Sequence, residues 1–213
     1  MAGATLEQRD MSAIEVFADI SCPFTHVGLR RFVERRKELG RDDVQLVVRA
    51  WPLEIVNGQP LDPDFIAEEV DDIRGQVAPD LFEGFAPSAF PGTSLPALAL
   101  AAAAYERDVA TGERISLTLR DLLFEQGVDI AEIDVLQGLA ADRGVDFDPM
   151  DTRAVLADHA EGVERGVIGS PHFFTPGGGF FCPALDVRRG PDGHLQIRAD
   201  LAGFEQFEAS AFA

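Results

Sequence analysis

The residues of this chain best suited to chemistry begin at Cys22, which is followed by Pro23, Phe24 and Thr25. Proline is accepted in the first turn of a helix, where its missing N–H would have had no partner, so the dipeptide marks a helix N-terminus. The free amides and positive dipole end found there favour a thiolate, the form of sulfur that attacks disulfides and electrophiles. Thr25 either donates a hydrogen bond to that thiolate or simply caps the helix start. The other cysteine, Cys182, is a candidate second thiol or a buried strand residue. Among the histidines, His26 follows Cys22 by one helical turn and would line the rim of a thiol site, and His172 is a weaker candidate; His159 and His194 read as surface positions. Asp19 precedes Cys22 by three residues, and a carboxylate facing the thiol would oppose its ionisation. Neither cysteine has a companion at zinc-ligand spacing, so no metal site is expected.

The surrounding pattern supplies elements to hold these residues. Ile14, Val16, Ala18 and Ile20 alternate as in a strand, and Phe24 to Leu39 form an amphipathic helix entered directly from it. Asp43 to Trp51 reads as a second strand, ended by Pro52 and the turn-rich Asn57-Gly58-Gln59-Pro60. From Asp62 to about Arg165 the periodicity is helical. Helix starts are expected at Asp62-Pro63, at Leu95-Pro96 (running to about Ala110), at Gly112, at Ile130 and at Asp148-Pro149, with ends at Gly127, Gly144 and Arg165. Strands then return at His172–Thr175 and, after the Pro176-Gly177-Gly178-Gly179 turn, at Phe180–Arg188. Leu185–Arg189 would pair with His194–Arg198 through Gly190-Pro191-Asp192-Gly193, and residues 200–211 read as a closing helix. This order predicts a tail over 1–12, one αβ core over 13–61 and 166–213, and a helical insertion over 62–165.

Thirty-seven acidic against 18 basic residues give a formal net charge of −19, which argues against nucleic acid or an anionic membrane as partner. The first ten residues carry no apolar signal segment, and the apolar run Leu95–Tyr105 is too short to span a bilayer. Two cysteines so far apart do not make a secreted disulfide framework, so a cytoplasmic, reducing setting is expected. The chain is expected to be a monomer or a homodimer. Phe204, Phe207 and Phe212 offer either a dimer surface or an internal docking face.

Cys22-Pro23-Phe24-Thr25-His26-Val27-Gly28 resembles the active-site segment of DsbA-like thioredoxin-fold proteins, usually Cys-Pro-x-Cys followed by a helix. Gly166-Val167-Ile168-Gly169-Ser170-Pro171-His172-Phe173-Phe174 resembles that family's Gly-Val-x-Gly-x-Pro-x-Phe segment, and Leu95-Pro96-Ala97 with Leu122–Val145 resembles its helical insertion. The likeness spans roughly residues 13 to 186. It implies an α/β, thioredoxin-like fold with an inserted helical domain, and a cis Ser170–Pro171 bond facing Cys22. It also implies catalysis by Cys22 with Thr25, and a substrate- or thiol-binding surface of Pro23, Phe24, His26, Ser170 and Pro171. The free backbone groups of Ser170 would pair with an extended peptide or thiol.

The sequence departs from the family at Thr25, where the resolving cysteine usually stands. A hydroxyl cannot attack a mixed disulfide, so a Cys-x-x-Cys cycle is not available. The resemblance therefore implies a thiol oxidoreductase with one active-site cysteine, its adduct resolved by an external thiol. No tightly bound cofactor is expected; a low-molecular-weight thiol such as glutathione would serve as co-substrate, and a small-molecule or peptide thiol or disulfide as substrate. The similar 2-hydroxychromene-2-carboxylate isomerases and kappa-class glutathione transferases usually carry serine at the Cys22 position. They imply an alternative in which the site activates a bound thiol. A non-catalytic binding module is a third reading.

Overall fold

Ile14, Val16 and Ala18 carry β1 (Ser12–Ala18) into the interior, where it pairs in parallel with β2 (Val44–Ala50). The computed structural model describes residues 12–191 and 193–213, so residues 1–11 of the expected N-terminal tail and Asp192 of the expected hairpin turn lie outside the described residues, while Ser12 already belongs to β1. β3 (His172–Thr175) runs antiparallel to β1, with Phe173 opposite Val16, and β4 (Gly178–Phe181) antiparallel to β3, giving the strand order β2-β1-β3-β4. Helix α1 (Pro23–Glu38) joins β1 to β2 and buries Val27, Leu29 and Phe32. Phe32 meets Phe207 of the closing helix α8 (Leu201–Ala211) and stacks on Phe212, so these phenylalanines dock within the chain.

The helical segment follows its capping signals closely. Asp62 accepts the amides of Asp64 and Phe65 at the head of α3 (Pro63–Gln76). Asp108, in extended conformation, ends α4 (Leu95–Arg107) and caps α5 (Val109–Gln126) through the Thr111 amide. Gly127 and Gly144 end α5 and α6 (Ile133–Arg143) in the left-handed region at φ of 63° and 60°, a conformation open to glycine at little cost. The last helix differs from expectation. The Asp148 carboxylate is spent on the Met150 amide in a turn, and α7 begins only at Arg153, running to Glu164. A five-residue helix, α2 (Leu53–Asn57), also escaped the periodicity.

The expected strand from Phe180 to Arg188 is in fact two strands. Cys182 takes a φ of 44°, Pro183 follows, and β5 (Leu185–Arg189) leaves the main sheet to pair with β6 (Leu195–Ala199). This hairpin seats on α3: Gln76 bonds both the Leu195 carbonyl and the Ile197 amide, and Asp72 accepts the Leu195 amide.

An apolar cluster continues from Ile20 and Val27 into Leu98, Leu119 and Phe124 of the helical segment, so the helices share a core with the strands. They also cover the edge of the sheet. The outward amides of β2 are accepted by side chains of α5, α4 and α7: Leu46 by Glu113, Val48 by the Tyr105 hydroxyl, and Ala50 by Asp158. Covering an edge in this way removes a template for strand addition. Tyr105 also donates to the Leu46 carbonyl at 3.0 Å. Tyr105→Phe strips both backbone groups of their partner and is expected to lower stability by about 1–3 kcal/mol in chemical denaturation. A loss below about 0.5 kcal/mol would mean that the edge does not depend on this hydroxyl.

Candidate active site

The end of β1 turns through Asp19, Ile20 and Ser21 into Cys22, the N-cap of α1, with extended backbone (φ −83°, ψ 116°) and Pro23 at the first helical position. The Ser170–Pro171 peptide is cis. Ser170 gathers the site around itself. Its carbonyl accepts from the Cys22 thiol at 3.3 Å, its hydroxyl lies 2.7 Å from Thr25 Oγ1, and the Asp19 amide donates to that same hydroxyl at 2.9 Å. The next carbonyl, that of Pro171, accepts the Cys182 amide at 3.0 Å. The two cysteines thus engage consecutive carbonyls across the cis peptide, and both are free thiols.

The sulfur is more enclosed than its place at a helix end suggests. Cys22 is 4% exposed, and burial pushes its thiol above the ordinary cysteine range. The polar groups of Thr25 and Ser170 pull in the opposite direction, and the charge of Asp19 pushes further up. The favoured thiolate predicted from the helix terminus is therefore corrected: withdrawal of a charge from water outweighs partial charges at a helix end. Burial likewise drives Cys182 up to about 12, with a further contribution from Cys22.

Asp19, 0% exposed, ties the surroundings together. One carboxylate oxygen accepts the Ser21 amide and hydroxyl, and the other accepts the Leu53 amide and the Ser94 hydroxyl. Behind it lies Arg120 of α5, 1% exposed, which local reading of the sequence missed. Its guanidinium donates to the Ser116 carbonyl and hydroxyl and to the Asp19 carbonyl. The available signal was only an arginine among Leu119, Leu122 and Leu123 on an otherwise apolar helix.

His26 is a second correction. Expected on the rim, it is buried between the rings of Phe82 and Phe124, and its Nε2 lies 2.6 Å from Glu125 of α5. One helical turn from the N-cap carries it to the face that the helical segment covers. Burial keeps its pKa low. Glu125 is raised by burial but lowered more by His26 and the amides of Phe82 and Glu83, and reaches about 2. His172 accepts the Ile168 amide and stacks on Phe174, a supporting position.

A cleft of about 880 Å³ opens beside the cis peptide, lined by Phe24, Ser170, Phe181, Cys182, Leu185 and Arg198 among others. Cys22 and Thr25 are not on its wall; Ser170 stands between them and the cleft. Pro23 and Pro171 are buried. Among the described residues there is no group of three or more side chains suited to a metal ion, and no helix long and apolar enough to cross a membrane.

A four-stranded βαβ–ββ core with a helical segment between its halves, a cysteine at the first helix N-terminus and a cis-proline loop against its sulfur define a thioredoxin-like fold. Residues 13–189 match the family model of the DsbA-like thioredoxin domain, and the chain belongs to that family. No match was found among curated proteins. Solved structures of similar fold include a candidate protein disulfide isomerase from Nitrosomonas europaea (17% identity, 92% of this chain and 96% of the other, TM-score 0.60). The cytosolic disulfide reductase DsbM from Pseudomonas aeruginosa is also similar (14%, 94% and 95%, TM-score 0.57). So is a 2-hydroxychromene-2-carboxylate isomerase (13%, 79% and 88%, TM-score 0.53). At these identities the likeness is one of fold.

Proposed function

We propose that the protein is a thiol–disulfide oxidoreductase acting through Cys22 alone, with an external low-molecular-weight thiol completing the cycle. The observation that carries this reading is the Cys22 sulfur at the N-cap of α1, 3.3 Å from the Ser170 carbonyl of the cis-proline loop. Attack of the Cys22 thiolate on a substrate disulfide forms a Cys22–substrate mixed disulfide and expels the other half as a thiolate. An external thiolate then attacks the substrate sulfur of that adduct, releasing the Cys22 thiolate and a new mixed disulfide, so that electrons and sulfurs balance. Thr25 hydrogen-bonds where a resolving cysteine would otherwise stand, which is why the second thiol must arrive from outside. The cleft beside Ser170 would receive a small-molecule or peptide disulfide. Family membership and the cytosolic reductase of like fold support a reducing role in the cytoplasm.

The test is turnover of a small aliphatic disulfide with glutathione as the added thiol, in the wild type and in Cys182→Ser. The expected result is a rate proportional to added thiol and changed less than about threefold by the substitution. A loss above about tenfold in Cys182→Ser would make Cys182 the resolving thiol. No turnover in either protein would leave the binding-module reading. A second catalytic reading, a thiol-dependent isomerase or transferase, draws support from the absence of a second sulfur at Thr25 and from the enclosed, high-pKa Cys22.

A further inference from the structure

The main sheet protects its two edges unequally. The outward amides of β2 are taken up by side chains of three helices, but the opposite edge, β4, is left open where the chain departs at Cys182-Pro183. Bonded and unbonded pairs alternate along an antiparallel ladder. The Cys182 amide bonds the Pro171 carbonyl, and Phe180 lies opposite Phe173, so the main-chain groups of Phe180 face β3. Those of Gly179 and Phe181 face outward, where no hydrogen bond meets them among the described residues. Natural sheets guard such an edge with charge, proline or a covering element. β4 reads Gly-Gly-Phe-Phe, carries no charge and is exposed at both glycines. Glycine within a strand marks a place where another backbone can approach closely. This edge is one wall of the cleft that reaches Ser170.

We propose that the open edge of β4 docks an extended polypeptide segment bearing an acidic side chain, which Arg198 receives from the hairpin wall of the same cleft. The charge that the cleft leaves unengaged is positive. Of its three charged lining residues, Asp186 is paired with Arg188, and Asp200 bonds the Gly203 amide of α8. Arg198, opposite Asp186 in the hairpin register, makes no hydrogen bond or ion pair among the described residues. In a chain of net charge −19, such a cation selects a carboxylate where the rest of the surface repels one. An added strand takes affinity from main-chain bonds and specificity from alternate side chains. Gly179 and Phe181 each offer one donor and one acceptor, and the Phe181 ring, 49% exposed, adds apolar surface beside them. The cleft also reaches Ser170, whose carbonyl holds the Cys22 thiol, so a disulfide at that end of the segment is delivered to the site. The inference rests on the oxidoreductase reading only in making that segment the substrate.

The experiment follows backbone amide exchange by NMR in the full chain. The probe is a short blocked peptide of valine and threonine that carries one glutamate and one cysteine held as a methyl disulfide. Binding is read in Cys22→Ser, where the active-site thiol cannot consume the peptide, and again in the wild type. The peptide is expected to slow exchange at Gly179 and Phe181 while leaving Phe180, already bonded to β3, unchanged. Methylating one alternate set of peptide nitrogens is expected to weaken binding by about tenfold, and methylating the other set much less. Replacing the glutamate by glutamine, or Arg198→Met, should each weaken binding by about threefold, and the two losses should not add. No protection at Gly179 and Phe181, equal binding of both methylated peptides, or equal affinity for the glutamate and glutamine peptides overturns the proposal. Protection of both amides in the free protein that grows with protein concentration would mean that a second copy pairs there, and it overturns the proposal too. A wild type that binds the peptide at this edge but turns over no disulfide supports the docking strand and overturns the oxidoreductase reading instead.

Discussion

Cys22→Ser is expected to reduce disulfide exchange by at least about 10³-fold while leaving the fold intact, because a serine oxygen can neither form the mixed disulfide nor ionise near neutrality. The fold should tolerate the change. Serine is a preferred N-cap residue, its hydroxyl can still donate to the Ser170 carbonyl, and the substitution shortens one bond at a nearly enclosed site. Thermal melting should therefore be unchanged or slightly raised. In the wild type, the raised Cys22 pKa means that the reactive form is a minority at neutral pH. Below that pKa the thiolate fraction grows tenfold per pH unit, so turnover should climb with a slope near one in log rate. A variant keeping more than about a tenth of wild-type exchange would reject Cys22 as the nucleophile. Loss of exchange with persistence of thiol-dependent isomerisation would select the second catalytic reading.

Removing the Asp19 carboxylate should produce the largest change in stability. Its two oxygens accept four hydrogen bonds, from the Ser21 amide and hydroxyl, the Leu53 amide and the Ser94 hydroxyl, at a site with no exposure. Burial raises the pKa of this acid, and the same four donors lower it by favouring the charged form. Asp19→Ala leaves these donors without an acceptor and removes the acidic charge that acts most strongly on Arg120. An expected cost of about 3–5 kcal/mol follows from breaking a buried polar network, and a fall in melting temperature on the order of 10 °C for a chain of this size. Asp19→Asn retains one acceptor oxygen and should cost roughly half as much. Equal stability of the alanine variant and the wild type would show that the network contributes nothing net.

The elements that frame this site are written locally. The alternation of β1, the proline after Cys22 and the cap at Asp62-Pro63 each act over a few residues, and their outcome appears at the expected places. Gly127 and Gly144 end their helices because the left-handed conformation is a property of the residue itself. Local signals failed where two were in competition. Asp148 resembles a helix cap but closes a turn, with Arg153 starting α7, and the apolar run from Phe180 onward conceals a chain reversal of partnership at Cys182-Pro183.

Sequence alone determined that a cysteine stands at the mouth of a helix entered from a strand, that a Gly-x-Pro segment follows about 150 residues later, and that no second cysteine lies within one turn of the first. Only the tertiary structure decided how deep that sulfur lies, that His26 turns toward Glu125 rather than toward the cleft, and that Arg120 comes to rest behind Asp19. The physical reason is the range of the interactions. Capping and periodicity act within a turn or two, whereas desolvation and the field of a charge depend on whatever the chain brings near, and here those neighbours are about a hundred residues away.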